Sequence, residues 1–149
     1  MRKLTKAPEI QVSYKTGNQP KPKIVSPQTS YEVLLESWDM NTIELQEEFK
    51  VLLLNMANEV LGVYSMSKGG VSGTVVDSKL LFGVALKCNA SNIIICHNHP
   101  SSNLKPSIND IDLTKKIKEG ADLLSLKLLD HLIICKTGFY SFALEYGSF

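Results

Sequence analysis

Apolar and polar positions change period several times along the chain, and each change marks an element. Over residues 9–14, Ile10, Val12 and Tyr14 alternate with polar neighbours, which predicts a strand carrying those three on one face. Residues 15–28 hold three prolines and a glycine and read as a linker or extended arm. Ser30 then offers an N-cap for a helix over 31–40, with Glu32 in its first turn. The apolar run Phe49–Asn55 predicts a buried strand, residues 55–58 a turn, and residues 59–67 the returning strand of a hairpin. Residues 68–74 are dense in glycine and predict an irregular turn. From Asp77, a plausible N-cap, the period becomes helical, with Leu80, Leu81, Val84 and Ala85 as the stripe. Asn92–Asn98 predicts a second buried strand and residues 99–107 a loop. An amphipathic helix follows, with Ile108, Ile111, Ile117 and Leu124 near one face. Residues 126–135 and 138–145 predict closing strands. Strands interleave with helices, and one pair forms a hairpin, so the expected class is α/β or α+β, in layers around a mixed sheet.

Composition narrows the classes. The 149 residues are 44% hydrophobic and 21% charged, with a net charge of +1, which excludes disorder of the whole chain. No apolar run approaches the roughly 20 residues that a membrane helix needs, and the basic N-terminus lacks the apolar core of a secretory signal. Three cysteines, an odd number, argue against a disulfide framework and for a reducing cytoplasm. The charge is uneven. Residues 1–23 carry six basic groups (Arg2, Lys3, Lys6, Lys15, Lys21, Lys23) against Glu9, and the rest of the chain is net acidic. The expected organisation is a basic, Pro-containing arm over 1–27 and one domain over 28–149. Such an arm either keeps the protein soluble or contacts nucleic acid.

One segment carries chemistry. His97 and His99 are two apart at a strand end, so their imidazoles point the same way. Pro100 holds the preceding residue extended. Asp110 falls in the first turn of the next helix, and the intervening loop is long enough to aim its carboxylate between the imidazoles. Two His and one Asp make a three-ligand set of the kind that leaves a catalytic zinc one open water position. The bland alternative is that Ser107-x-x-Asp110 is a capping box and the histidines are packed side chains. The two readings are compatible, because a capped helix end holds a ligand rigidly.

The pattern His97-x-His99-Pro100, six residues, then Ser107-x-x-Asp110 matches the JAMM (JAB1/MPN+) metalloprotease motif at every defined position. The run Cys96–Ser101, the segment Gly120-Ala121-Asp122-Leu123-Leu124 and the stretch Leu129–Ile134 resemble the RadC family of bacterial JAMM-domain proteins. The resemblance covers nearly all of the chain beyond the arm. It implies a cytidine-deaminase-like three-layer α/β/α fold around a curved mixed sheet, and Zn2+ on His97, His99 and Asp110. It also implies a glutamate that takes a proton from the zinc-bound water. Glu47, in a Glu-x-Phe pattern ahead of the apolar strand, is favoured over Glu48, which would face the other side, and over Glu59 at the hairpin turn. Ser107, as a second catalytic candidate, would hydrogen-bond the oxyanion.

Other residues read as structural. His131 lies between apolar neighbours and would support the site or the core. Cys96 would point away from the imidazoles, and the absence of a C-x-x-C pair argues against a zinc deaminase. Gly69, Gly70, Gly73 and Thr74 lack a phosphate-loop pattern and would form a turn lining the cleft. RadC relatives typically carry an N-terminal helix-hairpin-helix region, for which the arm is too short and too Pro-rich. The expected activity is a zinc-dependent peptidase or isopeptidase acting on an unknown protein or peptide. The alternative is a DNA-associated module, nuclease or binding protein, with a structural or vestigial metal site. Strand 9–14 could join a neighbour's sheet edge, but the sequence leaves the oligomeric state open.

Overall fold

A computed structural model describes residues 5–69 and 75–147. Among the described residues nine elements follow in order: α1 (Pro27–Glu36), β1 (Glu48–Leu54), β2 (Val60–Lys68), α2 (Ser78–Lys87), β3 (Asn92–Asn98), α3 (Ile108–Leu123), β4 (Lys127–Cys135), β5 (Gly138–Ser141) and α4 (Phe142–Tyr146). The strands form one sheet in the order β2-β1-β3-β4-β5, with β3 and β4 parallel and the other pairs antiparallel. The parallel pair needs a crossover, and α3 supplies it.

Strand alternation builds a core on each side of the sheet. Phe49, Val51 and Leu53 of β1 and Ile93 and Ile95 of β3 pack against Leu81 and Ala85 of α2 and Ile117 and Ala121 of α3. Leu52, Leu54, Ile94 and Cys96 face the opposite way, against Tyr31 and Leu34 of α1. Helices therefore cover both faces, the expected three-layer α/β arrangement. Helices α2 and α3 meet where α3 carries Gly120. A Cβ built there would lie 2.6 Å from the Phe82 ring.

Four local expectations are corrected. Residues 9–14 form no strand: residues 5–20 run exposed without helix or strand. Ile10 is 86% exposed; alternation alone supplies no partner, and an unpaired strand has nothing to bond its backbone. The Tyr14 hydroxyl donates to the Leu61 carbonyl at 2.7 Å. The first helix starts at Pro27, not after Ser30. Ser26 is its N-cap in a reciprocal capping box with Thr29, and Pro27 suits the first helical position, while Ser30 is buried inside the helix. The predicted strand over 138–145 ends at Ser141. The Ser141 hydroxyl accepts from Leu144 N and the Asp130 carboxylate accepts from Ala143 N, so the chain turns into α4. The α3 stripe is Thr114, Ile117 and Ala121, while the predicted Ile108 and Leu124 are 78% and 40% exposed.

Other expectations hold. β1 and β2 form the hairpin across residues 55–58, with Asn58 in the left-handed region at φ 62°. Asp77 caps α2 by accepting from Leu80 N at 3.2 Å. Pro22 and Ile24 exchange backbone hydrogen bonds with the hairpin at Val60 and Asn58, and Ile24 is buried. Among the described residues no helix is long and apolar enough to cross a membrane. Cys88, Cys96 and Cys135 are free and buried.

Candidate metal centre

The sheet topology brings three segments to one place. β1 runs antiparallel to β3 with Phe49 opposite His97, so the residue entering β1 lies beside the end of β3. The loop that leaves β3 feeds α3, whose first turn returns to the same end. Past the strand, a bond from His99 N to the Ile134 carbonyl at 3.1 Å keeps the chain extended, so both imidazoles face α3.

His97 Nε2 and His99 Nε2 lie 3.0 Å apart. The Asp110 carboxylate spans them, with Oδ1 3.2 Å from His97 Nε2 and Oδ2 3.3 Å from His99 Nε2. Glu47 Oε1 is 3.7 Å from His97 Nε2. Ligand atoms of all four residues lie within 4.8 Å of one another. His97 is buried, Glu47 is 9% exposed, and His99 and Asp110 are partly exposed, so the cluster is reachable at those two residues.

Local structure aims each group. Asp110 is the third residue of α3, and its carboxylate accepts from Ser107 N at 2.8 Å, while Ser107 Oγ accepts from Asp110 N at 3.1 Å. The capping box is present, and the same carboxylate reaches both histidines. Capping uses a lone pair of Ser107 and leaves its O–H free to donate. His99 Nδ1 faces the Asn103 carbonyl, which only accepts, so Nδ1 carries the hydrogen and the Nε2 lone pair turns into the cluster.

The electrostatics suit a cation. Burial would raise the Asp110 carboxyl, but the His97 and His99 imidazoles against it outweigh burial and hold the group well below the usual carboxylate range. Burial lowers His99, yet the Asp110 carboxylate and the Asn103 carbonyl beside the ring bring the net shift upward. Glu47 is raised by burial, against the pull of His97 and His99. Two imidazole nitrogens and a carboxylate, with a second carboxylate beside them, are a donor set that could hold a metal ion. A divalent cation is also what relieves such a crowding of lone pairs and negative charge.

The remaining candidates separate by position. Glu48 points to the opposite face, 3.8 Å from Lys50. Glu59 lies at the hairpin turn and accepts from Asn55. Cys96 belongs to the core on the side away from the imidazoles. Gly69 N donates to the Glu47 carbonyl at 2.8 Å, whereas Gly70, Gly73 and Thr74 lie outside the described residues. His131 is fully buried beside His97, with Nε2 2.9 Å from His97 Nδ1.

Two residues that sequence reasoning passed over stand out. Asn98, between the two histidines, faces the other way and binds three backbone groups of the segment carrying Glu47. Its Oδ1 accepts from Glu48 N at 2.7 Å, and its Nδ2 donates to the Ile43 and Gln46 carbonyls at 2.7 and 2.9 Å. Strand alternation signals that Asn98 opposes the histidines, but not what it meets. Thr114 bonds His131 from α3 at 2.6 Å; a threonine in a helix gives no such signal.

Comparison with known proteins meets this geometry. The family described as "RadC-like JAB domain" matches residues 24–147. The chain belongs to the RadC-like JAB family. A UPF0758 protein of Flavobacterium johnsoniae is 50% identical over 99 residues, which is 66% of this chain and 43% of that protein. A UPF0758 protein of Clostridium beijerinckii is 40% identical over 119 residues, 80% of this chain and 51% of that protein. A UPF0758 protein of Porphyromonas gingivalis is 46% identical over 101 residues, covering 67% and 44%. This RadC-like chain thus spans about half the length of the curated relatives it matches.

Proposed function

We propose that this RadC-like domain is a zinc-dependent hydrolase of amide bonds, a peptidase or isopeptidase. The observation that carries the reading is a proton-accepting carboxylate, Glu47, beside a two-imidazole, one-carboxylate set with a reachable side. A zinc ion held by His97, His99 and Asp110 would polarise the scissile carbonyl and lower the pKa of a water at its open position.

The chain's own residues supply the rest. Glu47 takes the proton of the attacking water and delivers it to the departing nitrogen. Its raised pKa strengthens it as the base and makes it a competent acid afterwards. The free O–H of Ser107 donates to the oxygen on which negative charge develops. Such a donor contributes roughly 3 kcal/mol to lowering the barrier. The three buried free thiols fit a reducing compartment, which supports cytoplasmic placement.

Elemental analysis of the wild type and His99→Ala tests the centre. About one zinc per chain is expected in the first and little in the second. Cleavage of a peptide library should then be lost in Glu47→Gln while zinc is retained. Absence of zinc from the supplemented wild type would overturn the metal centre. Full cleavage by Glu47→Gln would overturn the role of that carboxylate.

A further inference from the structure

We propose that Thr114 and His131 form a positioning relay that sets the tautomer of His97 and so presents its Nε2 lone pair to the metal. The inference rests on the reading of the cluster as a metal centre and concerns what prepares one ligand. Its hydrogen count is forced. The Asp110 backbone carbonyl has no hydrogen to give, and it lies 2.6 Å from Thr114 Oγ1, so the single hydroxyl hydrogen of Thr114 goes there.

Thr114 Oγ1 also lies 2.6 Å from His131 Nδ1. With its hydrogen already committed, the hydroxyl can only accept, so His131 carries hydrogen on Nδ1. A neutral His131 then has a bare Nε2, which faces His97 Nδ1 at 2.9 Å. His97 therefore carries its hydrogen on Nδ1, and its lone pair sits on Nε2, the atom beside Asp110, His99 and Glu47. One carbonyl in the first turn of α3 thus dictates the proton positions on two imidazoles.

Burial makes the arrangement exclusive. Thr114, His131 and His97 are 4%, 0% and 1% exposed, so water cannot offer other partners. The Phe142 ring stacks on His131 at 4.8 Å and 8°, and Phe49 meets it edge-on, which prevents a ring flip from exchanging the two nitrogens. The relay also couples ligands, since Asp110 binds with its carboxylate and starts the chain with its carbonyl. His131 touches no ligand position itself and acts through His97.

The test uses the full chain with 15N-labelled histidine. It has three histidines, all in this network. Long-range 1H–15N spectra of zinc-free protein should show His131 and His97 each protonated on Nδ1. Thr114→Val should disturb this pattern and weaken zinc binding by roughly 10- to 100-fold in a chelator competition. Thr114→Ser, which keeps the hydroxyl, should restore both. An Nε2–H tautomer at His131 or His97 in the wild type overturns the relay, as does Thr114→Val with tautomers and zinc affinity unchanged. Should Thr114→Val not fold, the wild-type and Thr114→Ser spectra still decide. Correct tautomers with no zinc uptake would overturn the metal reading, whereas zinc uptake with the wrong tautomers would overturn the relay alone.

Discussion

Side-chain direction is the quantity that matters at the scale of single residues. Glu47 and Glu48 are neighbours in sequence, yet one stands beside His97 and the other beside Lys50, because successive residues point to opposite faces. The raised pKa of His99 has a consequence for metal uptake. Its proton must leave before Nε2 can bind a cation, so zinc affinity should climb as pH rises through the upshifted value and flatten above it. Asp110 stays ionised throughout and adds no acid-side step. Titration of zinc affinity between about pH 5 and 8 checks this, and a flat profile would refute it. Ser107 separates stability from rate. Ser107→Gly should cost only a few tenths of a kcal/mol, since glycine is a tolerable N-cap. It should slow hydrolysis by roughly 100-fold if the O–H serves the oxyanion. Denaturant melts and steady-state kinetics read the two effects separately.

For the elements, the question is what holds the three segments in register. β1 and β3 are paired by their ladder, but the turn carrying Glu47 is tied down by Asn98. Asn98→Ala leaves one N–H and two carbonyls without this partner in a buried place, at a cost of about 1–3 kcal/mol each where water cannot replace it. It should lower the unfolding midpoint and displace Glu47, so cleavage falls further than zinc content does. An unchanged ratio of activity to bound zinc would refute that role. Ile117, buried between α3 and the sheet, is a packing control. Ile117→Ala should cost about 2–5 kcal/mol in chemical denaturation. Element types were mostly readable from periodicity, as with β1, β3 and α2. The exceptions have physical causes. Alternation over residues 9–14 could not reveal that nothing pairs with it. The pattern over 138–145 could not reveal that Asp130, distant in sequence, captures Ala143 N and ends the strand.

At the scale of the whole molecule, the arm meets the body at Pro22–Ile24. Removing residues 1–20 should leave the melting temperature nearly unchanged, whereas removal through residue 25 also deletes the buried Ile24 and its backbone pairing. That second truncation should cost roughly 2 kcal/mol or more. Thermal melts of the two truncated chains decide it. The first truncation also tests the arm against duplex DNA: a salt-sensitive affinity lost with residues 1–20 would favour nucleic-acid contact, and no affinity would leave the arm a solubilising segment. The sequence by itself determined the donor set of the candidate centre. The reasons are local: a period of two aims His97 and His99 together, and a helix cap holds Asp110. The family resemblance favoured Glu47, but only tertiary structure shows it beside them, because that depends on an antiparallel register between strands far apart in the chain. Tertiary structure also decided that Asn98 anchors the Glu47 turn, and that Thr114 and His131 reach His97. Those contacts exist only once a helix packs across the sheet, and no period in the sequence encodes which buried polar atoms will then face one another.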